Sequence, residues 1–335
     1  MWWCKNRDSS TENHRLQDVV RGATNQLYPN ATSSQDTGVA QDLLSFDSDG
    51  FSIGTDNGCN ETDNGIVAWL WKAGGAPTAD NSAGAGATPT AGSVKIDGSN
   101  LGSALAGSIA ATRLSANTET GFSVVTYSGV DTPSTNTVAH GLSEPPELWV
   151  WKNLTTGGGT GWIANTTAID GTVDYLVLNN DDAKADHVSP WSTVPTASVF
   201  TLGANNNDGC KDGQDYVAYC FHSIEGYSKV GIYIPASSST DSTFVYTGFK
   251  PAYILSKSST NASSWYIFDA ARNTYNVVGN YLESNTAASE GTLTAGFDFC
   301  SNGFKDRGFW GSSFSGETIL YYVIAESPFK YSNAR

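Results

Sequence analysis

Several groups of residues in this chain are of types that can do chemistry. An aspartate followed three positions later by an arginine occurs twice, as Asp18/Arg21 and Asp269/Arg272. On one turn the arginine fork can grip the carboxylate. A pair written twice in one chain reads as a structural salt bridge and not as a reaction centre. The stretch Asn165-Thr166-Thr167-Ala168-Ile169-Asp170 stands in the comparable place and lacks the arginine. A lysine closes three aromatic or aliphatic runs, at Lys5, Lys152 and Lys257. Schiff-base chemistry needs a buried lysine with an acid partner. Neither is visible in sequence, so these lysines are expected to be exposed or to lay their stems over aromatic rings.

Acidic, Asn- and Gly-rich loops offer oxygen ligands to calcium: Asp47-Ser48-Asp49-Gly50, Asp56-Asn57-Gly58, Asp63-Asn64-Gly65, and Asn205 to Asp208 with Asp212-Gly213. They lack the EF-hand spacing and its final Glu, and Asp-Gly and Asn-Gly are also what hairpin turns require. The turn reading is preferred, and no metal or cofactor is assigned. The histidines His14, His140, His187 and His222 have no metal-ligand spacing. No Gly-x-Ser-x-Gly elbow is present, and Gly157-Gly158-Gly159 lacks the Lys-Ser/Thr of a phosphate loop. Paired carboxylates for glycoside hydrolysis are a spatial property and no pair is marked out. No catalytic, cofactor-binding or metal-ligating residue is assigned.

The elements that would position these groups recur. One pattern opens at Trp2-Trp3-Cys4-Lys5-Asn6, at Leu148-Trp149-Val150-Trp151-Lys152-Asn153 and at Tyr253-Ile254-Leu255-Ser256-Lys257. It passes a central phenylalanine (Phe51, Phe200, Phe304) and closes at Ala68, Ala218 and Tyr321. Lysine to phenylalanine spans 46, 48 and 47 residues, and phenylalanine to closing residue 17, 18 and 17. A fixed period points to one supersecondary unit used repeatedly. Preludes ending in Tyr127 and Tyr233 precede the second and third openings by 25 and 24 residues, counted to the lysine. The first copy has none, because Met1 falls on its opening strand. Either that unit is abbreviated or the polypeptide begins before this Met1.

Strand signals at 122–127, 148–152, 175–178, 199–202, 216–221, 244–246, 253–257, 265–268 and 319–325 are short, aromatic or β-branched and bounded by turn residues. The fold expected is all-β, with tandem antiparallel sandwich or jelly-roll-like modules and few helical turns. Helical candidates are 15–22, 269–273 and the alanine-rich 102–111. The modules are placed at 1–74, 119–226 and 227–335, each held by its own aromatic side chains. A Gly/Ala/Ser/Thr-rich connector spans 75–118, in which 93–98 looks like a strand entering a turn. The second and third modules, joined by only 225–229, are expected to pack as a pair. Most tryptophans sit at repeat openings and closings and are read as core. Exposed Trp or Tyr would instead form a carbohydrate-stacking platform or an interface.

Charged residues are 15% of the 335 and aromatics 12%, a balance that suits β structure. A formal net charge of −15 disfavours nucleic acid, whose phosphates need clustered Lys and Arg. No run approaches a membrane span, and the first residues lack the pattern of a secretory signal. The five cysteines occupy different places in the units and are read mostly as free thiols, Cys220 as a small buried hydrophobe.

The chain resembles a family of repeat-bearing, tail-fibre-like virion proteins of tailed bacteriophages, marine ones especially. The resemblance rests on Trp3-Cys4-Lys5-Asn6-Arg7, on 14–24, on Phe46-Asp47-Ser48-Asp49-Gly50-Phe51, and on Val67-Ala68-Trp69 with Trp71-Lys72-Ala73-Gly74. His140-Gly141-Leu142, Ala218-Tyr219-Cys220-Phe221 with 225–229, Tyr246-Thr247-Gly248-Phe249 and the ending 325–335 complete it. The resemblance implies a non-enzymatic structural protein of the virion, a fibre, appendage or outer decoration assembled in the host cytoplasm. Its expected partners are other virion proteins and further copies of itself, with host-surface glycans as a candidate contact. The rivals are a carbohydrate-active depolymerase on a sandwich scaffold and a bacterial surface adhesin.

Overall fold

Side-chain alternation in the three opening strands decides how the sheets face. Successive residues of a strand point to opposite sides. In Trp2–Asn6, Trp3 turns to one core while Trp2 and Cys4 turn to another. In Leu148–Asn153, Leu148 and Val150 share the core of Trp3, and Trp149 and Trp151 line a separate one. In Pro251–Ser258, Tyr253 and Leu255 face inward and Ile254 outward. Both faces of each sheet are therefore covered, which is why these strands carry apolar residues at nearly every position. The computed structural model describes residues 1–130, 135–156, 161–186, 193–203, 209–237, 243–311 and 313–327.

Each opening strand lies between a second strand and a closing strand, antiparallel to both. The second strands are Arg15–Asp18, Ile163–Thr166 and Tyr266–Asp269. The closing strands are Ile66–Leu70, Asp215–Phe221 and Ile319–Ala325. Third strands, Gly22–Leu27, Asp174–Val177 and Val278–Glu283, continue each sheet beyond the second. The order third, second, opening, closing is the same three times. In the second and third sheets a flanking strand then pairs with the outer side of the closing strand: Phe122–Ser128 and Ser228–Tyr233. Among the described residues the first sheet has four strands, with Ile66–Leu70 at its end.

The inner faces of all three sheets meet in one core that includes Trp3, Trp69 and Trp71, Trp162 and Tyr219, and Tyr253, Trp265 and Tyr322. The three segments do not each close a wholly separate interior. Each has its own outer core and contributes its inner face to a common one. Each buried aromatic removes roughly 150–250 Å² from water, so this shared core is the main cohesive element. A cavity of about 30 Å³ remains at its centre, among Trp3, Trp71, Trp162, Trp265, Tyr253 and Tyr322.

The outer faces are roofed differently. Over the first lie the hairpin Leu43–Phe46/Phe51–Ile53 and the turn Asn57–Asn60. The second is roofed by the ribbon Asn136–Ala139/Val199–Leu202. Over the third lie Gly291–Cys300, Gly303–Asp306 and Phe244–Tyr246. Strands Val94–Ile96, Ser99–Asn100 and Ala111–Asn117, inside the stretch read as a connector, belong to the nine-stranded second sheet. The turn anticipated near 93–98 is there, with Asp97 at φ 50 and Gly98 at φ 84.

The only helical turn among the described residues is Asn57–Asn60. The helix expected at 102–111 does not form: Gly107 adopts φ 108, and the amides of Ser108 and Ile109 bond to Thr137 O. Its alanines favour a helix, but Gly102, Ser103, Gly107 and Ser108 interrupt them. Residues 15–18 are strand, followed by a turn, and 269–273 begins at a strand end. Among the described residues no helix is long and apolar enough to cross a membrane.

Candidate functional site

The Asp/Arg pairs sit where the sheets meet. Asp18 ends a second strand, and its Oδ1 accepts from the amides of Val20 and Arg21 at 3.0 and 2.9 Å, fixing the turn. Its Oδ2 accepts from Arg21 Nε at 2.7 Å and from Tyr219 Oη, on the closing strand of the second segment, at 2.7 Å. Burial alone would raise this carboxyl. Arg21, the turn amide and the Tyr219 hydroxyl outweigh that and hold it below its ordinary value. Asp269 repeats the arrangement: Arg272 Nε lies at 2.6 Å, and Trp69 Nε1, from the closing strand of the first segment, donates at 3.0 Å. The Arg272 guanidinium also stands 5.7 Å over the Trp69 ring. In the second segment strand register puts Thr166 in the place of Asp269 and Ile169 in that of Arg272. Thr166 there donates to Glu147 O, and Ile169 packs on the shared core. The turn bridges were legible in sequence. Their partners on a neighbouring sheet, about 200 residues away, were not.

A second set of bonds runs round the molecule. Trp162 Nε1 donates to Tyr28 O at 2.9 Å and Trp265 Nε1 to Val177 O at 3.0 Å. In the same place before the first segment's second strand stands His14, whose Nε2 lies 3.0 Å from Glu283 O. Trp3 Nε1 donates to His14 Nδ1 at 3.0 Å, so Nδ1 is the acceptor and the proton is on Nε2. The first segment thus donates to the third, the third to the second and the second to the first. Sequence reading missed this ring; aligning His14 with Trp162 and Trp265 would have been the signal.

The three lysines are buried, contrary to the expectation of exposure. By the two-residue period they point to the inner side. Each ammonium is held by carbonyls: Lys5 by Asn6 O at 2.6 Å and Ser9 O at 2.8 Å, Lys152 by Thr32 O at 3.0 Å, and Lys257 by Ser258 O at 2.6 Å. Burial lowers all three to about 8. The Lys152 bond again crosses from the second segment to the first. These contacts are backbone contacts, which sequence patterns do not encode.

Arg15 organises a cluster that sequence reading also missed. Its Nη2 lies 2.7 Å from Glu12 and 2.8 Å from Asp56, and its Nε 3.4 Å from Asp42. Ligand atoms of Asp42, Asp56 and Cys59 lie within 4.8 Å of one another. Burial, followed by Asp56, raises the Asp42 carboxyl, and burial raises the Cys59 thiol to about 12. The guanidinium already supplies positive charge there, so the set fits an arginine better than a metal ion. A Cβ at Gly58 would overlap the guanidinium, which explains the glycine.

The other candidates resolve into structure. Asp47 accepts the Ser45 and Ser52 hydroxyls at 2.7 and 2.8 Å across a hairpin turn. Asp56 caps the turn at 57–60, and Asp63 takes φ 66 in a tight turn. Leu142 N donates to His140 Nδ1, and burial lowers that ring to about 4. His222 Nδ1 lies 3.0 Å from Pro145 O. His187, Asn205 to Asp208, Gly157-Gly158-Gly159 and the ending 328–335 lie outside the described residues. All five cysteines are free thiols, with Cys220 buried. Every tryptophan among the described residues is buried, so a stacking platform would fall to Tyr246 and Tyr275, 63% and 85% exposed. A groove of about 690 Å³ runs beside the end of the first closing strand, bordered by Phe46, Asp47, Leu70, Lys72, Asp97 and Glu119.

No curated protein and no solved structure matches the chain. The match lies with a family of uncharacterised domains, over residues 1–99 and 94–328. The chain belongs to that family, described as Domain of unknown function (DUF7483).

Proposed function

We propose that this chain is a non-enzymatic structural component of a tailed-phage virion, a fibre, appendage or outer decoration, built from three copies of one β module. The carrying observation is where its buried polar groups go. Asp18, Arg21, Asp269, Arg272, His14 and Lys152 hold one sheet to the next. These groups are engaged in cohesion between sheets, which suits a rigid scaffold. The common strand order and the matching places of His14, Trp162 and Trp265 support the module reading. The virion assignment rests on the family resemblance. Other virion proteins and further copies are the partners, and the exposed Tyr246 and Tyr275 are the surfaces for host glycans.

One observation favours the depolymerase reading: Asp42 and Asp56 lie close together and are pushed in opposite directions, as an acid and a nucleophile would be. Yet Asp42 is buried and both carboxylates are held by Arg15. Cryo-electron microscopy and mass spectrometry of purified virions test the proposal. Density for this chain on capsid or tail is the expected result. Its absence from purified particles, or release of reducing sugar ends from host glycans that Asp42→Asn abolishes, would overturn it.

A further inference from the structure

The roof of the third segment turns an aromatic pair to solvent. Phe244–Tyr246 ends that sheet, antiparallel to Gly303–Asp306, which pairs in turn with Gly291–Cys300. Val245, Phe297, Phe299 and Phe304 turn into the outer core. By the two-residue period Phe244, Tyr246, Gly303, Lys305 and Asp298 turn out. Phe244 and Tyr246 are 46% and 63% exposed. Two positions apart, their Cα atoms stand roughly 7 Å from each other along the strand. Opposite Tyr246 is Gly303, where a Cβ would strike Val245 O and come within 3.0 Å of the Phe244 ring. The glycine keeps the floor beside the rings flat.

Positive charge flanks the pair. Lys305 stands directly across from Phe244. Lys229, from the strand at the other end of the sheet, donates from Nζ to Tyr246 O at 3.0 Å. Thr243 O and Thr247 N bond towards Gly303–Asp306 and its turn, so Tyr246 O faces the open edge. Lys229 thus takes the carbonyl an added strand would need, and the face is what is left for a partner. Asp298, across from Lys305, lies 3.5 Å from Arg307, which balances it. In a chain with 18 Lys and Arg against 33 Asp and Glu, two lysines beside one three-residue strand run against the general balance.

We infer that the glycan contact proposed above, on which this assignment rests, is made on Phe244 and Tyr246 and is with an acidic glycan, a chain of sugars that carry carboxylates. Each ring offers a rigid apolar face for the C–H side of one pyranose. The ammonium groups of Lys229 and Lys305 meet the carboxylates in charge-assisted hydrogen bonds. Two rings fall far short of the about 800 Å² per partner of a stable protein interface. A net charge of −15 opposes a nucleic acid. Asn276 bonds both backbone groups of Phe299, at 3.2 and 2.9 Å. The 85% exposed Tyr275 next to it therefore lies three strand spacings from Tyr246, roughly 14 Å. A glycan of a few sugars can reach from one to the other.

Isothermal titration calorimetry of the intact protein tests this, with trimers of galacturonic acid and of sialic acid and with galactotriose as the neutral counterpart. Saturable binding of an acidic trimer is expected, about tenfold tighter than that of galactotriose and weakened by salt. Phe244→Ala and Tyr246→Ala should each weaken it about tenfold, and Lys229→Gln should weaken it too, with unchanged thermal unfolding midpoints. Equal affinity for galactotriose would overturn the acidic assignment and leave the glycan contact standing. Binding untouched by both aromatic substitutions would overturn the site. No binding of any trimer would overturn the assignment together with the glycan contact. Tighter binding of a single-stranded oligothymidylate, lost in Tyr246→Ala, would give the face to nucleic acid and overturn it as well. The presence of the chain on virions is read separately, from purified particles.

Discussion

Acid should open the junction between the first and third segments through His14. The ring is fully buried, accepts from Trp3 at Nδ1 and donates to Glu283 O from Nε2. A proton on Nδ1 would set one N–H against another. Burial, with Lys5 and Arg272 adding in the same direction, lowers the group from 6.5 to about 3. The unfolded chain therefore takes up a proton first as pH falls. Stability is fully present above pH 6.5, declines between 6.5 and 3, and has lost this contribution entirely below that. Between pH 7 and 4.5 the loss is about 2.5 kcal/mol, at 1.36 kcal/mol for each pH unit inside the window. His140, lowered to about 4, adds a loss of the same sign, so total acid sensitivity does not isolate His14.

The comparison that does is urea unfolding of the natural protein and His14→Gln, followed by tryptophan fluorescence at several pH values. Glutamine keeps a donor and an acceptor but takes up no proton. Its own packing defect is the same at every pH and drops out of the slope. The natural protein should lose about 2.5 kcal/mol more than the variant over this range. Parallel pH profiles would show that His14 is not held neutral between Trp3 and Glu283, and the reasoning from burial would fail with it.

Other outcomes follow from the same contacts. Tyr219→Phe leaves Asp18 and Arg21 short of a buried partner and should cost about 1–3 kcal/mol by thermal or urea unfolding. Arg21→Ala, which strands the Asp18 charge, should cost about 3–5 kcal/mol. Lys257→Met should flatten an alkaline rise in stability. The folded ammonium is lowered to about 8 against 10.5 unfolded, so the unfolded chain binds more protons between these values and stability grows with pH there. Gly74→Ala should destabilise by about 1–3 kcal/mol, the scale of core overpacking, because the added Cβ would meet the backbone carbonyls of Ala116 and Lys95.

Much of the β framework was legible in the sequence. The runs 199–202, 244–246 and 319–325 coincide with observed strands, since aromatic and β-branched residues bounded by turn formers leave few alternatives. The Asp/Arg turns were legible because both partners lie within four residues. What escaped was everything set by the meeting of sheets. Tyr219 and Trp69 read as ordinary strand aromatics until the closed core brings each to an aspartate of another segment. Lys152 read as exposed or as laying its stem over an aromatic ring because lysine is seldom fully buried, and its partner, Thr32 O, is a backbone atom with no signature in the sequence. Alanine content misled at 102–111, where tertiary bonds to Thr137 take the place of helical ones.

The three junctions share a geometry but not a chemistry. First and second are joined by Asp18, Arg21 and Tyr219; third and first by Asp269, Arg272 and Trp69, with an added Arg7–Glu290 pair at 2.6 Å. Between second and third the same place holds Thr166 and Ile169, and Phe221 meets Tyr322 at 4.9 Å. A wholly apolar set of three like faces would bond to one another in any order with little penalty. A buried aspartate without its arginine and its cross-sheet donor costs several kcal/mol, so exchanging neighbours would leave charges stranded. The apolar rings supply the cohesion of the core. The unequal polar anchors make one arrangement of the segments better than the others, and the closed ring from His14 through Trp265 and Trp162 fixes its handedness.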